Sequence, residues 1–446
     1  MIKRRIAEEG NFRYHLKCAK QGITHLSFAD DLFLFSAADP NSVQVLKDSL
    51  DEFGRCSGLW PNKDKSNIYF GNVAPADKSL IHSILEFNVG SLPVRYLGVP
   101  LISSRLWVND CRPLIQKVRD KIESWENKWL NYAGRVQLDT SVLLSLQVYW
   151  SSIFLLPISV TKQIEKLIRS FIWSGRDVAK GKAKVAWKDV CLPKQEGGLG
   201  LKSLRCWNKA LMSYHVWNIV SDKSSLWLQG VVPRLSDELD RVVWISRQGR
   251  QKAFSVNQVW DDLRATAPIV EWCGLIWYSK SIPKHCFTLW LAIRNRLLTQ
   301  DRLKSWQIQD RVACSFCDSV PDSVPHLLFE CVFCSQILLE FQRRGYLLLY
   351  QGKWDNFIHN SAASWRGKSV HVLINKLVLA AVVFHIWQER NRRLFQQKRK
   401  HVWQIIAEIV DDIRRKLQGL LVVNSLRVRE ELSRWDVFIE RPSIQN

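Results

Sequence analysis

Apolar residues recur along the chain with two different periods. Early on they come as short runs, His25-Leu26-Ser27-Phe28 and Leu32-Phe33-Leu34-Phe35, around Ala29-Asp30-Asp31. Such a pair of runs about a tight polar centre predicts a β-hairpin with an acidic tip. Val43, Leu46, Leu50 and Phe53 then recur at helical spacing, with Gly58 placed to stop that helix in the left-handed conformation. Asn67-Ile68-Tyr69-Phe70 reads as a strand, and Tyr96-Leu97-Gly98-Val99-Pro100-Leu101 as an extended segment closed by a turn.

From about Leu114 the period becomes helical. Ile164, Leu167, Ile168, Phe171 and Ile172 share one face, with Gly175 as the stop. The glycine-rich Glu196-Gly197-Gly198-Leu199-Gly200 lacks the spacing and the following Lys-Ser/Thr of a phosphate-binding loop, and reads as a turn. Residues 223–253 are polar and charge-mixed, as expected of a linker. Near the end, Val402, Ile405, Ile409, Ile413 and Leu417 form a stripe expected to pack on the same chain. The pattern predicts an α+β first third and a mainly α remainder, divided at 1–110, 111–222, 223–253, 254–350 and 351–446.

Composition adds a partner class. Hydrophobic residues make up 47% of the 446 positions and charged residues 24%, a globular balance. The 64 Lys and Arg exceed the 42 Asp and Glu, for a net charge of +22. That surplus favours RNA or DNA held by electrostatic contact, because each cation placed on a phosphate releases a counterion. Six of the bases fall between Arg390 and Lys400 (Arg390, Arg392, Arg393, Lys398, Arg399, Lys400), with Trp387 and Trp403 nearby. They read either as a track for a phosphate backbone or as a solvated helix face. Lys3-Arg4-Arg5 is a short nuclear-import candidate. The longest apolar run, Leu377–Phe384, is too short to span a bilayer, so no membrane partner is expected. Nor does an apolar segment follow Met1 as in a secretory signal, and the 11 cysteines are an odd number. An intracellular setting, nucleus or cytoplasm, is expected, where clustered cysteines bind metal.

Two constellations carry chemistry. Asp30 and Asp31, about 5 Å apart at a dielectric near 20, repel by roughly 3 kcal/mol. Water or divalent cations relieve such a pair; nucleotidyl transfer uses cations. Cys314, Cys317, His326 and Cys331 form the pattern C-x2-C-x8-H-x4-C within eighteen residues. A Cys-x-x-Cys turn and a short loop returning His and Cys suit tetrahedral zinc. Cys334, three residues after Cys331, is an alternative fourth ligand.

Phe28-Ala29-Asp30-Asp31, with Thr24-His25-Leu26-Ser27 before it and Leu32-Phe33-Leu34-Phe35 after it, resembles the palm hairpin of non-LTR, LINE-type retrotransposon reverse transcriptases. Ser57-Gly58-Leu59, Asn62 and Lys65-Ser66 are similar to the segment that follows, and Tyr96–Leu101 resembles the strand and turn that grip the primer. A second resemblance, to the zinc-binding domain downstream of plant reverse transcriptases of this type, rests on Asp322-Ser323-Val324-Pro325-His326-Leu327-Leu328-Phe329-Glu330-Cys331. Trp277, Ile282-Pro283-Lys284, Phe287, Trp290, Leu297-Leu298-Thr299 and the stretch Ile386–Phe395 extend it.

The resemblance implies a partial palm at 1–110, a helical thumb at 111–222, a zinc-binding domain at 254–350 and a basic helical tail. It implies an RNA-directed DNA polymerase ancestry, with Asp30 and Asp31 as Mg²⁺ ligands and Lys65 near the triphosphate. It favours Cys331 over Cys334 as the fourth zinc ligand. The family mechanism uses a further palm aspartate upstream of the hairpin. Only 29 residues precede Asp30, and their acids are Glu8 and Glu9, so the chain is expected to bind nucleic acid and Zn²⁺ without polymerising. The alternative expectation is a zinc-dependent nucleic-acid-binding or protein-interaction module that is not an enzyme.

Overall fold

The computed structural model describes residues 1–102, 104–126, 130–175, 183–221, 242–305, 313–348, 353–420 and 425–437. The chain divides into two compact units, residues 1–110 with 216–242, and residues 111–215 with 243–446. It is mostly helical with few short strands.

The first unit opens with α1 (Ile2–Glu9), then the antiparallel pair β1 (His25–Phe28) and β2 (Asp31–Leu34). Helix α2 (Pro40–Ser57) starts where the Asp39 side chain accepts the Ser42 amide at 2.9 Å and Pro40 presets the first turn. It ends at Gly58, whose φ of 73° is the left-handed stop read from the sequence. Val43, Leu46 and Leu50 are buried, but Phe53 is 46% exposed, so the apolar face is narrower than its spacing suggested. Arg5 Nε donates to Glu52 at 2.8 Å, tying α1 to α2, so part of the basic Lys3-Arg4-Arg5 group is engaged in an intramolecular pair.

Next come β3 (Asn67–Ile68), α3 (Pro75–Leu85) and β4 (Asn88–Val89), with β3 and β4 parallel. β5 (Arg95–Tyr96) and β6 (Val99–Pro100) pair antiparallel around Leu97 and Gly98, both at positive φ, as a type I′ hairpin requires. Among the described residues the strands form separate two-stranded pairs and no wider sheet.

The second unit contains α4 (Arg112–Glu126), α5 (Tyr132–Leu138), α6 (Leu144–Ile153), α7 (Ile158–Ser174), α8 (Trp187–Val190) and most of α9 (Leu204–Val220). All five stripe residues of α7 are buried, and Gly175 ends it at φ 81°. The glycine-rich loop is a tight turn: a Cβ on Gly198 would stand 2.0 Å from the Leu192 carbonyl oxygen. The Gly197 carbonyl accepts the Trp290 indole N–H at 2.9 Å, anchoring a later helix. Of the expected linker, 223–241 lies outside the described residues; beyond it, β7 (Trp244–Ile245) and β8 (Gln251–Lys252) form a short ribbon.

There follow α10 (Val256–Leu263), α11 (Cys273–Ile276), α12 (Pro283–Ile293), α13 (Gln300–Ser305), α14 (Val332–Arg343) and α15 (Trp354–Ser364). α16 (Val370–Gln396), α17 (Val402–Gln418) and α18 (Leu426–Ser433) complete the order. α12 and α17 both pack on α16, which forms the centre of this unit. By length and composition α16 would cross a membrane, yet 67% of its apolar window is buried inside the protein, as in a core helix. The expected α17 stripe, Val402, Ile405, Ile409, Ile413 and Leu417, is entirely buried.

A π-helical turn at Asp139–Leu143 carries a buried carboxyl, Asp139, neither of whose oxygens has a hydrogen-bond partner among the described residues. Burial pushes this group up to about 8. The unfolded chain ionises Asp139 near its ordinary value while the folded chain holds the proton. Stability therefore falls as pH rises from about 4 to about 8 and then levels. Asp139→Asn removes this linkage. Its stabilising effect is expected to grow by about 3 kcal/mol between pH 5 and pH 7, measured by urea denaturation. A pH-independent effect would contradict the buried, protonated state.

Candidate metal centre

The loop that precedes α14 folds back on itself. The Cys314 amide donates to the Val320 carbonyl at 2.7 Å, and the Asp318 amide to the Cys314 carbonyl at 2.9 Å. This closes the Cys-x-x-Cys turn, with Asp318 at positive φ. The Phe316 amide points at the Cys314 sulfur at 3.4 Å, a contact that suits a thiolate. His326 opens a π-helical turn, His326–Glu330, and the Cys331 amide returns to the His326 carbonyl at 2.8 Å. Cys331 is also the N-cap of α14, where the unsatisfied amides of the first turn favour negative charge.

These turns bring Cys314, Cys317, His326 and Cys331 together, their ligand atoms all within 4.8 Å of one another. Cys314 Sγ and Cys331 Sγ are 3.9 Å apart, and Cys317 Sγ is 3.4 Å from His326 Nε2. A tetrahedral zinc with bonds of about 2.3 Å to sulfur and about 2.0 Å to nitrogen sets such edges at roughly 3.5–3.8 Å. The donor set and its spacing fit zinc. Cys334 is buried in the first turn of α14 and is not one of the four. None of the eleven cysteines is in a disulfide.

The electrostatics suit a cation. Against protein groups alone, the contact with Cys331 and then burial push the Cys314 thiol up. Burial holds His326 below its ordinary value, favouring the neutral imidazole that binds metal. With four protein donors the site is closed, so an ion there would supply folding energy.

The long helix α16 grips this loop. Arg390, fully buried, donates through Nη2 at 2.6 Å and Nε at 3.0 Å to Oδ2 of Asp322, four residues before His326. The Arg393 guanidinium lies 4.7 Å from the Phe316 ring and 4.3 Å from that of Phe333, two rings stacked on each other. Glu389, also buried, accepts Arg392 and Arg393 at 2.9 Å each and the Lys400 amide at 2.8 Å. This corrects the reading of Arg390–Lys400 as one continuous phosphate track or solvated face. Arg390 and Arg393 hold the metal loop, Arg392 pairs with Glu389 on its own helix, and Lys400 pairs with Glu408. Lys398 and Arg399 remain exposed, with exposed Phe395 and Trp403 near them in sequence.

Comparison with known proteins agrees with a zinc site in this segment. Residues 254–337 match the family described as zinc-binding in reverse transcriptase, and all four donors lie inside the match. The segment is therefore similar to the zinc-binding domain of reverse transcriptases. An Arabidopsis thaliana protein provisionally named a ribonuclease H protein is 34% identical over 129 residues, which are 29% of this chain. The chain spans about a fifth of that relative's length.

The acidic hairpin differs from the cysteine centre in its exposure. Phe28 pairs with Asp31, so Asp30 sits in a two-residue turn after Ala29 (φ 50°) and Asp31 begins β2. Both carboxylates are exposed, as are Leu26, Phe28 and Leu32 on the same hairpin. Lys65 is exposed near the turn that Asn62 caps, with Asn62 Oδ1 accepting its amide at 3.2 Å. No ion pair or hydrogen bond joins Lys65 to either aspartate among the described residues. Neither aspartate belongs to a set of three potential metal ligands there, and Mg²⁺ binding has no support. One long-range contact does link the motifs: Phe33 on β2 meets Tyr96 on β5 edge-on at 4.9 Å.

Proposed function

We propose that this chain is a reverse-transcriptase-derived protein of a plant LINE-type retroelement that binds nucleic acid through a zinc-stabilised module and does not polymerise by itself. The observation that carries the reading is the order of its parts. An acidic two-residue hairpin and a Tyr96-Leu97-Gly98 hairpin touch through Phe33 and Tyr96, and a Cys3His zinc-binding segment follows downstream. Residues 1–110 then correspond to part of a palm, and the helices of 111–222 to a thumb.

Two-metal nucleotidyl transfer needs clustered acidic ligands, and among the described residues no third potential ligand joins the exposed Asp30 and Asp31. Nucleic acid is held by the +22 surface, with Lys398 and Arg399 as phosphate contacts and Phe395 and Trp403 as stacking platforms.

A labelled RNA template with a DNA primer tests both halves. Affinity is expected to fall steeply with salt, and Lys398→Glu with Arg399→Glu to reduce the log–log salt slope by about 1–2. Extension in Mg²⁺ or Mn²⁺ is expected to stay at the level of Asp30→Ala. Salt-insensitive binding, or template-dependent incorporation lost in Asp30→Ala, would overturn the corresponding half.

A further inference from the structure

Away from the cysteine loop, three side chains from three different helices converge on one point. His285 lies on α12, His385 on α16 and Asp412 on α17, and one ligand atom of each falls within 4.8 Å of the others. Nε2 of His285 is 3.1 Å from Asp412 Oδ2, and Nε2 of His385 is 3.2 Å from the same oxygen. Lys284 Nζ reaches that oxygen as well, at 3.2 Å.

Three nitrogens thus face one carboxylate oxygen, which has only about two lone-pair positions to offer. His385 has a second carboxylate near it, Glu408 Oε2, 3.6 Å from its Nδ1, whose other oxygen pairs with Lys400. A neutral imidazole has a single N–H and cannot donate to both. The shorter contact places the Nε2–H toward Asp412, and a metal bound there would take the place of that proton. A histidine whose far nitrogen points at a carboxylate while its near nitrogen meets a second donor set is the usual surrounding of a metal-bound histidine. Bonds of about 2.0–2.1 Å place adjacent donors roughly 2.9–3.4 Å apart, and both measured separations fall in that range.

We propose that His285, His385 and Asp412 form a second site for a divalent transition metal, zinc first among them, with the Lys284 ammonium as a displaceable cation at its mouth. Two imidazoles and one carboxylate make a borderline donor set that suits zinc better than calcium or magnesium. His285 is completely buried and His385 nearly so, whereas the Lys284 side chain is 38% exposed and free to swing into solvent. Three protein donors leave a position open to water, unlike the closed cysteine centre. The site lies in the helical core and depends on neither the palm reading nor the polymerase ancestry.

Cobalt(II) separates the two centres in the full chain, because only the cysteine centre gives an intense thiolate-to-metal absorption. Two equivalents are expected to bind, with the thiolate band complete after the first. His385→Ala and Asp412→Asn should lose the second equivalent and keep the band intact. Lys284→Gln should strengthen the second site about tenfold, and Glu408→Gln should weaken it about tenfold, by removal of a competing cation and of an orienting carboxylate. Saturation at one equivalent, a second equivalent that survives His385→Ala, or an affinity unmoved by Lys284→Gln would each overturn the proposal. A purely structural hydrogen-bond hub would not respond to Lys284→Gln with tighter metal binding.

Discussion

Replacing Cys314 with serine is expected to abolish stoichiometric zinc binding at the cysteine centre and to unfold the loop from Cys314 to Cys331. Zinc in such sites contributes roughly 10–16 kcal/mol of apparent binding energy, more than a loop of this size gains from its own burial. The loop carries Leu327, Leu328 and Phe329 into the core, where Phe329 meets Trp354 at 5.3 Å and Phe357 at 5.1 Å. Loss of the ion should therefore expose apolar surface well beyond the four ligands. Hydrogen exchange before and after chelation checks this. Protection should collapse across the loop and the first turns of α14 and remain in α7. Unchanged protection with the metal removed would mean that packing alone holds the loop.

The second large effect is expected at the buried pair of Arg390 and Asp322. Arg390→Met leaves an uncompensated carboxylate in a site where burial already raises Asp322 above its ordinary value, Arg390 opposing the shift. Breaking such a pair costs about 3–5 kcal/mol. The cost should show in denaturant midpoints, with a loss of zinc affinity of about tenfold, because Asp322 helps to place the His326 turn. Pairing Arg390→Met with Asp322→Leu should recover most of the stability, since a desolvated ion pair gains little over apolar packing. A double variant no better than the single one would show that Arg390 acts by filling space rather than by charge.

How far the sequence foretold this structure depended on the range of each interaction. The helical faces of α7 and α17 were readable because their burial repeats every three or four residues, and all ten stripe residues are buried. The Cys-x-x-Cys turn and the returning His326 and Cys331 were readable because the donors are close in sequence. Phe53 shows where the rule stops: periodicity says that a face exists, but only the packing partner sets its width.

The basic stretch after Trp387 was only partly legible, because Arg390 finds Asp322 across a separation of 68 residues while Lys398 and Arg399 stay exposed. A local signal was nevertheless present. Arg390 continues the row Val378, Val382, Ile386 at four-residue steps, and that row is buried throughout. A charge on such a row needs a buried partner. The cluster of His285, His385 and Asp412 had no comparable signal, because its members come from three helices whose packing no local spacing encodes. Asp139 was silent for the same reason: nothing in its neighbourhood marks one aspartate of a polar turn as buried.

Zinc K-edge X-ray absorption on the full chain loaded with one equivalent of zinc tests the metal centre most directly. Cys314, Cys317, Cys331 and His326 predict about three sulfurs near 2.3 Å and about one nitrogen near 2.0 Å. A first shell of nitrogen and oxygen alone would contradict the assignment.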